Sequence, residues 1–279
     1  MITGQILEKF LRLIEGHSGL SFRHEKLFSV SARIKEEAER LSVSPEDYYR
    51  MALGQKDVLE KLICMLANQE TYFFRERPQL SAFGELLRRV KAGKQKKGEH
   101  SLRVLSAGCA RGEEAYTLNI IIMESGHFLW GWDINVLGVD INRDSVDRAK
   151  KAVYTGNSLR PSKKNAEDIS RYFDEDNNLY ALKAPWRRNV SFMAGNLLEE
   201  KTYSGLGGAF DFVFCRNLFI YMPDEAIRKV SGYLYDCLTP GGYLFAGTSE
   251  PLNEKTQLFS PVRCCDSVFY IKARSGFKR

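Results

Sequence analysis

The chain has 279 residues, 44% of them hydrophobic and 27% charged, which is enough for one large domain or two modest ones with an ordinary core. No apolar run approaches the roughly 20 residues that a bilayer-spanning helix needs, and no basic segment followed by an apolar one opens the chain. We therefore expect a soluble, cytoplasmic protein, whose net charge of +6 leaves nucleic acid, anionic lipid and carboxylate-rich proteins open as partners.

Residues 1–90 predict a small helical domain. Apolar residues recur at helical spacing from Ile6, from Leu27 and from Val58. The segment Ser44–Asp47 is a helix start, because a capping hydroxyl is followed by proline in the first turn and by acids at the positive end of the helix dipole. No internal repeat is visible.

Residues 91–101 are rich in lysine and glycine, and a solvated linker is a better interpretation of them than a nucleic-acid patch. From residue 102 to residue 279, apolar strands alternate with helices, which is typical of a mostly parallel α/β sheet. Residues 154–189 interrupt this alternation and are too polar and too long for a simple crossover. We predict an inserted subdomain there.

The first strand-to-helix turn of this region, Ser106–Glu114, is the candidate ligand site, because ligands of open α/β sheets bind beyond the carboxyl ends of the strands. Gly108 and Gly112 would let the backbone approach a ligand, although glycines in a tight turn need no ligand at all. Glu113 and Glu114 stand where a dinucleotide would rest its pyrophosphate, and their carboxylates would repel it.

A nucleotide that has positive charge and no phosphate suits this acidic turn better, and S-adenosylmethionine carries an ammonium and a sulfonium. Asp140 ends the second strand, where it is placed to accept hydrogen bonds from a ribose diol. The alternative for the paired acids is helix-dipole stabilisation, worth about 0.3–1 kcal/mol. Asp140 and the T-P-G-G turn at residues 239–242 favour a methyltransferase, with NAD as the weaker candidate.

Four motifs occur in order along the chain: Glu70–Glu76 (E-T-Y-F-F-R-E), Ser106–Tyr116, Cys215–Tyr221 (C-R-N-L-F-I-Y), and Gly241–Phe245 followed by G-T-S-E. This set resembles the chemotaxis-receptor glutamate methyltransferase family (CheR) over nearly the whole chain. The resemblance implies a class I S-adenosylmethionine-dependent methyltransferase of Rossmann-like fold, with an N-terminal all-α domain and a small antiparallel β insertion. It also implies methyl-ester formation on glutamates in the cytoplasmic region of bacterial chemoreceptors, which supports chemotactic adaptation.

The resemblance assigns roles to residues at matching positions. Arg75 and Tyr221 resemble the pair beside the transferred methyl. The cofactor contacts implied are Thr71, Arg75, Glu114, Asp140, Asn196, Leu197, Arg216 and Asn217, to which the turn glycine Gly108 is added. Gln69 stands where the family usually has asparagine; glutamine offers the same groups with a longer reach, and neighbouring Asn68 is the alternative contact.

Methylation of a carboxylate requires no general base, because its pKa near 4.3 leaves it ionised at neutral pH. The reaction needs in-line placement of carboxylate, methyl and sulfur, which is mainly an orientation effect. Arg75 is suited to steering the carboxylate or anchoring the cofactor, and the Tyr221 hydroxyl to hydrogen bonding at the reacting centre. The alternatives are core packing for Phe73, Phe74 and Tyr221, and an ion pair with a neighbouring glutamate for Arg75. The six cysteines show no metal-site spacing, so no metal is expected.

Lys26, Arg33 and Arg40 recur every seven residues and form a stripe in the region where the family is thought to dock its target helices. Glu36 lies at helical-neighbour spacing from two of them, so a self-neutralised, solvated face is the alternative. The β insertion grips a receptor tail peptide in some family members. We expect a monomer that binds chemoreceptor helices and neither nucleic acid nor the bilayer interior.

Two other functions remain open from the sequence. A nucleic-acid methyltransferase would share the fold and the cofactor, but it often carries N/D-P-P-Y/F after the fourth strand, where this chain has R-N-L-F-I-Y. A non-catalytic adaptor that senses the cofactor is disfavoured by the intact Arg75, Asp140 and Tyr221. Labelling of a receptor fragment distinguishes these functions.

Overall fold

The computed structural model describes residues 2, 4–67, 70–128, 130–160 and 166–272, without the side chains of 166–168. Its first part is a cluster of helices: α1 (Gly4–Ser18), α2 (Leu27–Arg40), α3 (Pro45–Gly54) and α4 (Lys56–Leu66). Their apolar stripes bury a common core that contains Phe10, Ile34 and Leu62. Ser44 caps α3 by accepting the backbone N–H of Asp47 at 3.1 Å, so the predicted helix start is confirmed.

The long helix α5 (Arg77–Gln95) joins this cluster to the sheet. Its apolar face, which includes Leu80 and Phe83, shares a core with the sheet and not with α1–α4. Residues 91–95, which the sequence assigned to a solvated linker, form the last turn of this helix. Lys94 ion-pairs there with the buried carboxylate of Asp211 at 2.9 Å. The division into domains at residue 90 stays a prediction.

Within the described residues, the second part contains a seven-stranded sheet and a small three-stranded one. The strands are β1 (Ser101–Ala107), β2 (Asp133–Asp140), β3 (Val153–Thr155), β4 (Phe173–Asp176), β5 (Leu179–Leu182), β6 (Val190–Ala194), β7 (Phe210–Cys215), β8 (Leu238–Ala246), β9 (Phe259–Cys264) and β10 (Ser267–Lys272). The large sheet has the order β6-β2-β1-β7-β8-β10-β9. Its first five strands are parallel, and β10 and β9 add an antiparallel edge, so the predicted α/β fold class is confirmed.

Helices cover both faces of the large sheet. These are α6 (Glu113–Glu124), α7 (Arg143–Lys151), α9 (Glu200–Ser204) and α10 (Asp224–Cys237), together with α5. Alternate residues of β7 point to opposite sides: Phe212 and Phe214 pack in the core with α5 and α6, whereas Val213 packs in the core with α10. Burial on both faces explains why β7 is apolar apart from Asp211, whose carboxylate pairs with Lys94.

The T-P-G-G segment, predicted as a turn before the last core strand, lies inside β8. Leu238 pairs with Phe210 and Tyr243 pairs with Phe212, so residues 239–242 bulge out of the ladder between the two pairs. The helix before it, α10, ends at Cys237. The bulge therefore absorbs the proline and the glycines without ending the strand.

The insertion is a small antiparallel sheet of order β3-β5-β4, preceded at β4 by α8 (Ala166–Tyr172), which confirms the predicted β unit. Phe73 packs edge-on against Tyr154 and Phe173, with ring centroids 4.9 Å apart in both pairs. Phe73 is fully buried, so core packing accounts for it. No helix among the described residues is both long and apolar enough to cross a membrane.

Candidate active site

A cleft lies beyond the carboxyl ends of β1, β2, β6 and β7, between the sheet and the helical region. It encloses about 1160 Å³, part of it open to solvent. The predicted site residues that line it are Thr71, Arg75, Gly108, Glu114, Asp140, Asn196, Leu197, Arg216, Asn217 and Tyr221. Gln69 and its alternative Asn68 lie outside the described residues.

The turn after β1 brings backbone amides to the end of β2. Gly108 has φ +79°, a conformation that favours glycine, and its N–H donates to the Val139 carbonyl at 2.8 Å. Asp140 accepts the backbone N–H of Ala110 at 2.8 Å on one oxygen and that of Asn142 at 2.9 Å on the other. Burial raises the pKa of Asp140, and these two hydrogen bonds oppose the shift. Each oxygen keeps a lone pair with which it can accept a ligand hydroxyl.

The paired acids at the start of α6 point to different places. Glu114 lines the cleft, where it accepts the Ser106 hydroxyl at 2.6 Å. Glu113 is fully buried and accepts the hydroxyl of Ser158, a residue of the insertion, at 2.8 Å. The expectation that both carboxylates would face a ligand phosphate was therefore wrong for Glu113. Burial raises the pKa of both glutamates.

Arg216, which follows β7, ties three parts of the site together with a side chain only 2% exposed. Its guanidinium lies 3.1 Å from a Glu114 oxygen and 3.4 Å from a Glu76 oxygen, and it donates to the Arg75 carbonyl at 2.7 Å. A buried charge is tolerated when it is paired and hydrogen-bonded in this way. Burial would raise the pKa of Glu76, but Arg216 and hydrogen bonds from Asn217 and Thr248 outweigh it and lower that pKa.

Arg75 projects into the cleft from the segment that joins the helical region to α5. It donates to the carbonyl of Glu70 at 2.7 Å, and its guanidinium lies over the Tyr72 ring at 5.6 Å. The nearby carboxylates have other cationic neighbours, because Glu70 pairs with Arg160 at 3.0 Å and Glu76 lies beside Arg216. The Arg75 guanidinium therefore lies in the cleft beside a carbonyl and an aromatic ring, while Glu70 and Glu76 each have another cationic neighbour.

Tyr221 and Asn196 connect the cleft to the helical region. The Tyr221 carbonyl accepts the N–H of Ser21 at 2.7 Å, and the Lys26 ammonium lies 5.2 Å from the centre of the Tyr221 ring. Asn196 donates from its amide to the His17 carbonyl at 2.6 Å and accepts from Leu198 N–H at 3.0 Å. The Asn196 side chain thus already holds α1 against the end of β6.

Several lining residues were not predicted from the sequence. The helical region contributes Ser18, Leu20 and Cys64. None of these belongs to a motif, and each by itself is typical of an ordinary helix core or helix end. Among the described residues, the charged groups that line the cleft are three carboxylates, Glu70, Glu114 and Asp140, and two guanidiniums, Arg75 and Arg216, which leaves one formal negative charge. This balance suits a cationic ligand without phosphate.

Residues 69–268 match the family model described as CheR methyltransferase, SAM binding domain. The chain belongs to the CheR methyltransferase family. It is 31% identical over 275 residues to chemotaxis protein methyltransferase 1 of Pseudomonas aeruginosa, which covers 94% of this chain and 96% of that one. It is 29% identical to chemotaxis protein methyltransferase 2 of Vibrio cholerae, covering 93% and 90%. A probable biofilm formation methyltransferase, WspC of P. aeruginosa, is 30% identical over 87% of this chain and 56% of its own.

Membership of this family makes the protein a methyltransferase that uses S-adenosylmethionine. The residues present fit that cofactor. Asp140 offers acceptors at the end of β2, the lining carries a net negative charge, and Glu114 at the start of α6 disfavours a phosphate group there. A cationic, phosphate-free nucleotide is what such a lining accommodates.

Proposed function

We propose that this protein transfers the methyl group of S-adenosylmethionine to glutamate side chains in the cytoplasmic region of bacterial chemoreceptors. One observation carries the proposal: Arg75 and Tyr221 converge on a cleft to which no histidine of the described residues contributes. A site without a histidine base suits a nucleophile that is already ionised at neutral pH, as a carboxylate is. The relatives named as chemotaxis protein methyltransferases support the same substrate.

The bound cofactor supplies an electrophilic methyl group. In the proposed mechanism Asp140 accepts hydrogen bonds from the ribose hydroxyls, and the other cofactor contacts are Thr71, Gly108, Glu114, Asn196, Leu197, Arg216 and Asn217. Arg75 attracts the substrate carboxylate, and the Tyr221 hydroxyl donates a hydrogen bond that orients it. Rate enhancement then comes mainly from fixing the carboxylate in line with the methyl, and no proton has to move. A role for Gln69 stays a prediction.

A second groove is suited to the approach of an acidic substrate. It meets the cleft at Tyr221, Leu20 and Ala67, which line both. Its charged lining residues are Arg23, Lys26 and Arg33, with Glu25 as the acid, so cations exceed anions. Because its lining is apolar as well as basic, a helix with glutamates on one face would find both charge and hydrophobic contact there.

Two of the three residues in the predicted basic stripe line this groove. Lys26 lies beside Tyr221, and Arg33 donates to the Met65 carbonyl at 2.8 Å. Arg40 pairs instead with Glu37, through contacts of 2.6 and 2.7 Å, and does not line the groove. We therefore propose that Lys26 and Arg33 contribute to receptor docking and that Arg40 does not. Grip of a receptor tail peptide by the insertion stays a prediction.

The test is methyl-ester labelling of a chemoreceptor cytoplasmic fragment with radiolabelled cofactor. We expect base-labile label with the wild type and almost none with Arg75→Ala. The matched control is Arg50→Ala, because Arg50 is an exposed arginine on α3 that pairs with the surface carboxylate of Asp47 and does not line the cleft. Equal labelling by the wild type and Arg75→Ala would remove Arg75 from the mechanism. Binding of the cofactor without any label would favour a non-catalytic adaptor, and label in RNA would favour a nucleic-acid methyltransferase.

A further inference from the structure

The G-T-S-E motif after β8 ends in a buried carboxylate that the proposed mechanism does not use. Glu250 is 6% exposed and accepts three backbone N–H groups. One carboxylate oxygen accepts from Asn217 at 2.8 Å and from Gly247 at 2.6 Å, and the other accepts from Ile220 at 3.0 Å. Charge-assisted bonds of this kind are about twice as strong as neutral ones, so the carboxylate fixes the backbone of the Asn217–Ile220 turn.

This turn begins at Asn217, a proposed cofactor contact, and it leads into Tyr221, whose hydroxyl is proposed to orient the substrate carboxylate. Asn217, which lines the cleft, has φ +58°, a left-handed conformation that is uncommon outside glycine and that asparagine adopts more readily than most residues. Tyr221 directly follows Ile220. The Glu250 carboxylate therefore binds the turn at Asn217, which lines the cleft, and at Ile220, which directly precedes Tyr221.

The turn is held from a second direction by Glu76. Its carboxylate accepts the Asn217 side-chain amide at 3.0 Å and the Thr248 hydroxyl at 2.9 Å. Thr248 belongs to the same G-T-S-E motif as Glu250. The motif therefore contacts the backbone of the turn directly through Glu250, and it contacts the Asn217 side chain indirectly, through Glu76. Two independent carboxylates that converge on Asn217 indicate that the position of this residue is tightly specified.

Gly247 is required by the same arrangement. A Cβ atom at this position would lie 2.5 Å from a Glu250 carboxylate oxygen and 2.9 Å from the Asn217 nitrogen. Its backbone does not have positive φ, so lack of space, and not the conformation of the chain, excludes a side chain. Gly247→Ala would therefore displace the Glu250 carboxylate while leaving its charge in the protein.

We propose that Glu250 is a positioning residue that sets Asn217 for cofactor binding and Tyr221 for methyl transfer, without contacting cofactor or substrate itself. The Tyr221 half of this inference rests on the proposed function, whereas the Asn217 half depends only on cofactor binding. In Glu250→Gln, the amide group replaces one acceptor oxygen and brings an N–H against a backbone N–H. At least one of the three bonds must then be lost.

The first experiment compares Glu250→Gln with Glu254→Gln, which removes the same charge at an exposed position four residues on. We expect Glu250→Gln to bind S-adenosylhomocysteine at least about tenfold more weakly in calorimetry, and to lower kcat for receptor labelling at saturating cofactor by a similar factor. The control should stay within about twofold of the wild type. Equal behaviour of the two variants would overturn the proposal.

The second experiment separates positioning from general stability. In a Tyr221→Phe background, Glu250→Gln should lower kcat much less than it does in the wild type, because both changes act on the same hydroxyl. If instead Glu250→Gln lowers kcat by the same factor in both backgrounds, the two residues act independently, and the proposal that Glu250 positions Tyr221 is overturned. Gly247→Ala should reproduce the loss of S-adenosylhomocysteine affinity, whereas Gly232→Ala, whose added methyl meets no atom within 4 Å, should not.

The remaining outcomes also count for or against the positioning role of Glu250. If Gly247→Ala binds S-adenosylhomocysteine normally, the proposal fails even if Glu250→Gln does not fold. If neither variant folds, the proposal fails as well, since loss of a positioning residue leaves the fold intact. If the wild type binds S-adenosylhomocysteine tightly but labels no receptor, the proposed function is contradicted. The effect of Glu250 on Asn217 would then be tested by the S-adenosylhomocysteine affinities of the variants.

Discussion

Replacement of Arg216 by methionine tests the charge network of the cleft most directly. The guanidinium is almost fully buried, with Glu114 at 3.1 Å and Glu76 at 3.4 Å. Methionine has a similar length and can fill the space, but it leaves two mostly buried carboxylates without their countercharge. Breaking a buried pair by removing one partner costs about 3–5 kcal/mol, so we expect a decrease of that size in the free energy of unfolding at pH 8.

The decrease should depend on pH in a defined direction. Arg216 lowers the pKa of both Glu76 and Glu114, and its removal lets burial raise both. A carboxyl with a raised pKa in the folded state binds more protons there than in the unfolded state, so stability falls as pH rises. The difference in unfolding free energy between Arg216→Met and the wild type should therefore shrink as the pH falls from 8 toward 5.

Urea unfolding followed by circular dichroism at several pH values measures this difference. Arg40→Met is the matched control, because Arg40 also contacts a carboxylate closely, but on the exposed face of α2. Its removal should change stability far less, since exposed ion pairs contribute little. A loss below about 1 kcal/mol for Arg216→Met, or a loss independent of pH, would refute the account of the network as a buried pair.

Three further changes test other parts of the structure. Asp140→Asn should weaken S-adenosylhomocysteine binding by roughly 10–100-fold in calorimetry, the equivalent of losing a charged hydrogen bond worth about 1.5–3 kcal/mol; unchanged affinity would exclude the proposed ribose contact. Lys94→Met should lower stability by about 1–3 kcal/mol, most strongly at high pH, because burial already raises the pKa of Asp211 and Lys94 opposes that; a pH-independent loss would contradict this reasoning. Gly138→Ala should cost about 1–3 kcal/mol in thermal unfolding, because its Cβ would lie 2.5 Å from the Phe192 ring, and an unchanged melting temperature would show that the ring can move.

The sequence predicted the parts of the site that the backbone itself specifies. A buried strand followed by Gly108, and a second strand that ends in Asp140, both depend on short-range patterns, and the parallel sheet then brings these ends together. The orientation of single side chains was harder to predict. Glu113 and Glu114 are adjacent on α6 and point in directions about 100° apart, and which of them faces the cleft depends on how the helix is rotated against the sheet.

The contacts that each helix makes were harder to predict than the helix itself, because they too depend on how the helices pack together. The apolar residues Leu80, Phe83 and Leu87 of α5 have helical spacing, and that spacing indicates a buried face without saying that the sheet covers it. Arg40 has helical neighbours three and four residues back, and spacing alone cannot choose between Glu36 and Glu37. The cleft residues of the helical region, such as Cys64, have no chemical signature at all. They could be identified only once the two regions were placed in contact.

Contact between these regions is part of the catalytic design that we propose. Helices α1–α4 and the turns that join them contain none of the four motifs, yet Ser18 lines the cleft, the His17 carbonyl accepts the amide of Asn196, and the Ser21 N–H donates to the Tyr221 carbonyl. Arg75 lies on the segment that enters from this region. Methyl transfer to a carboxylate needs orientation and exclusion of water more than it needs a base, and neither the sheet nor the helices could supply these alone. The helices therefore complete the reacting geometry when they pack over the sheet, and a substrate that docks on their basic groove is brought to the same tyrosine.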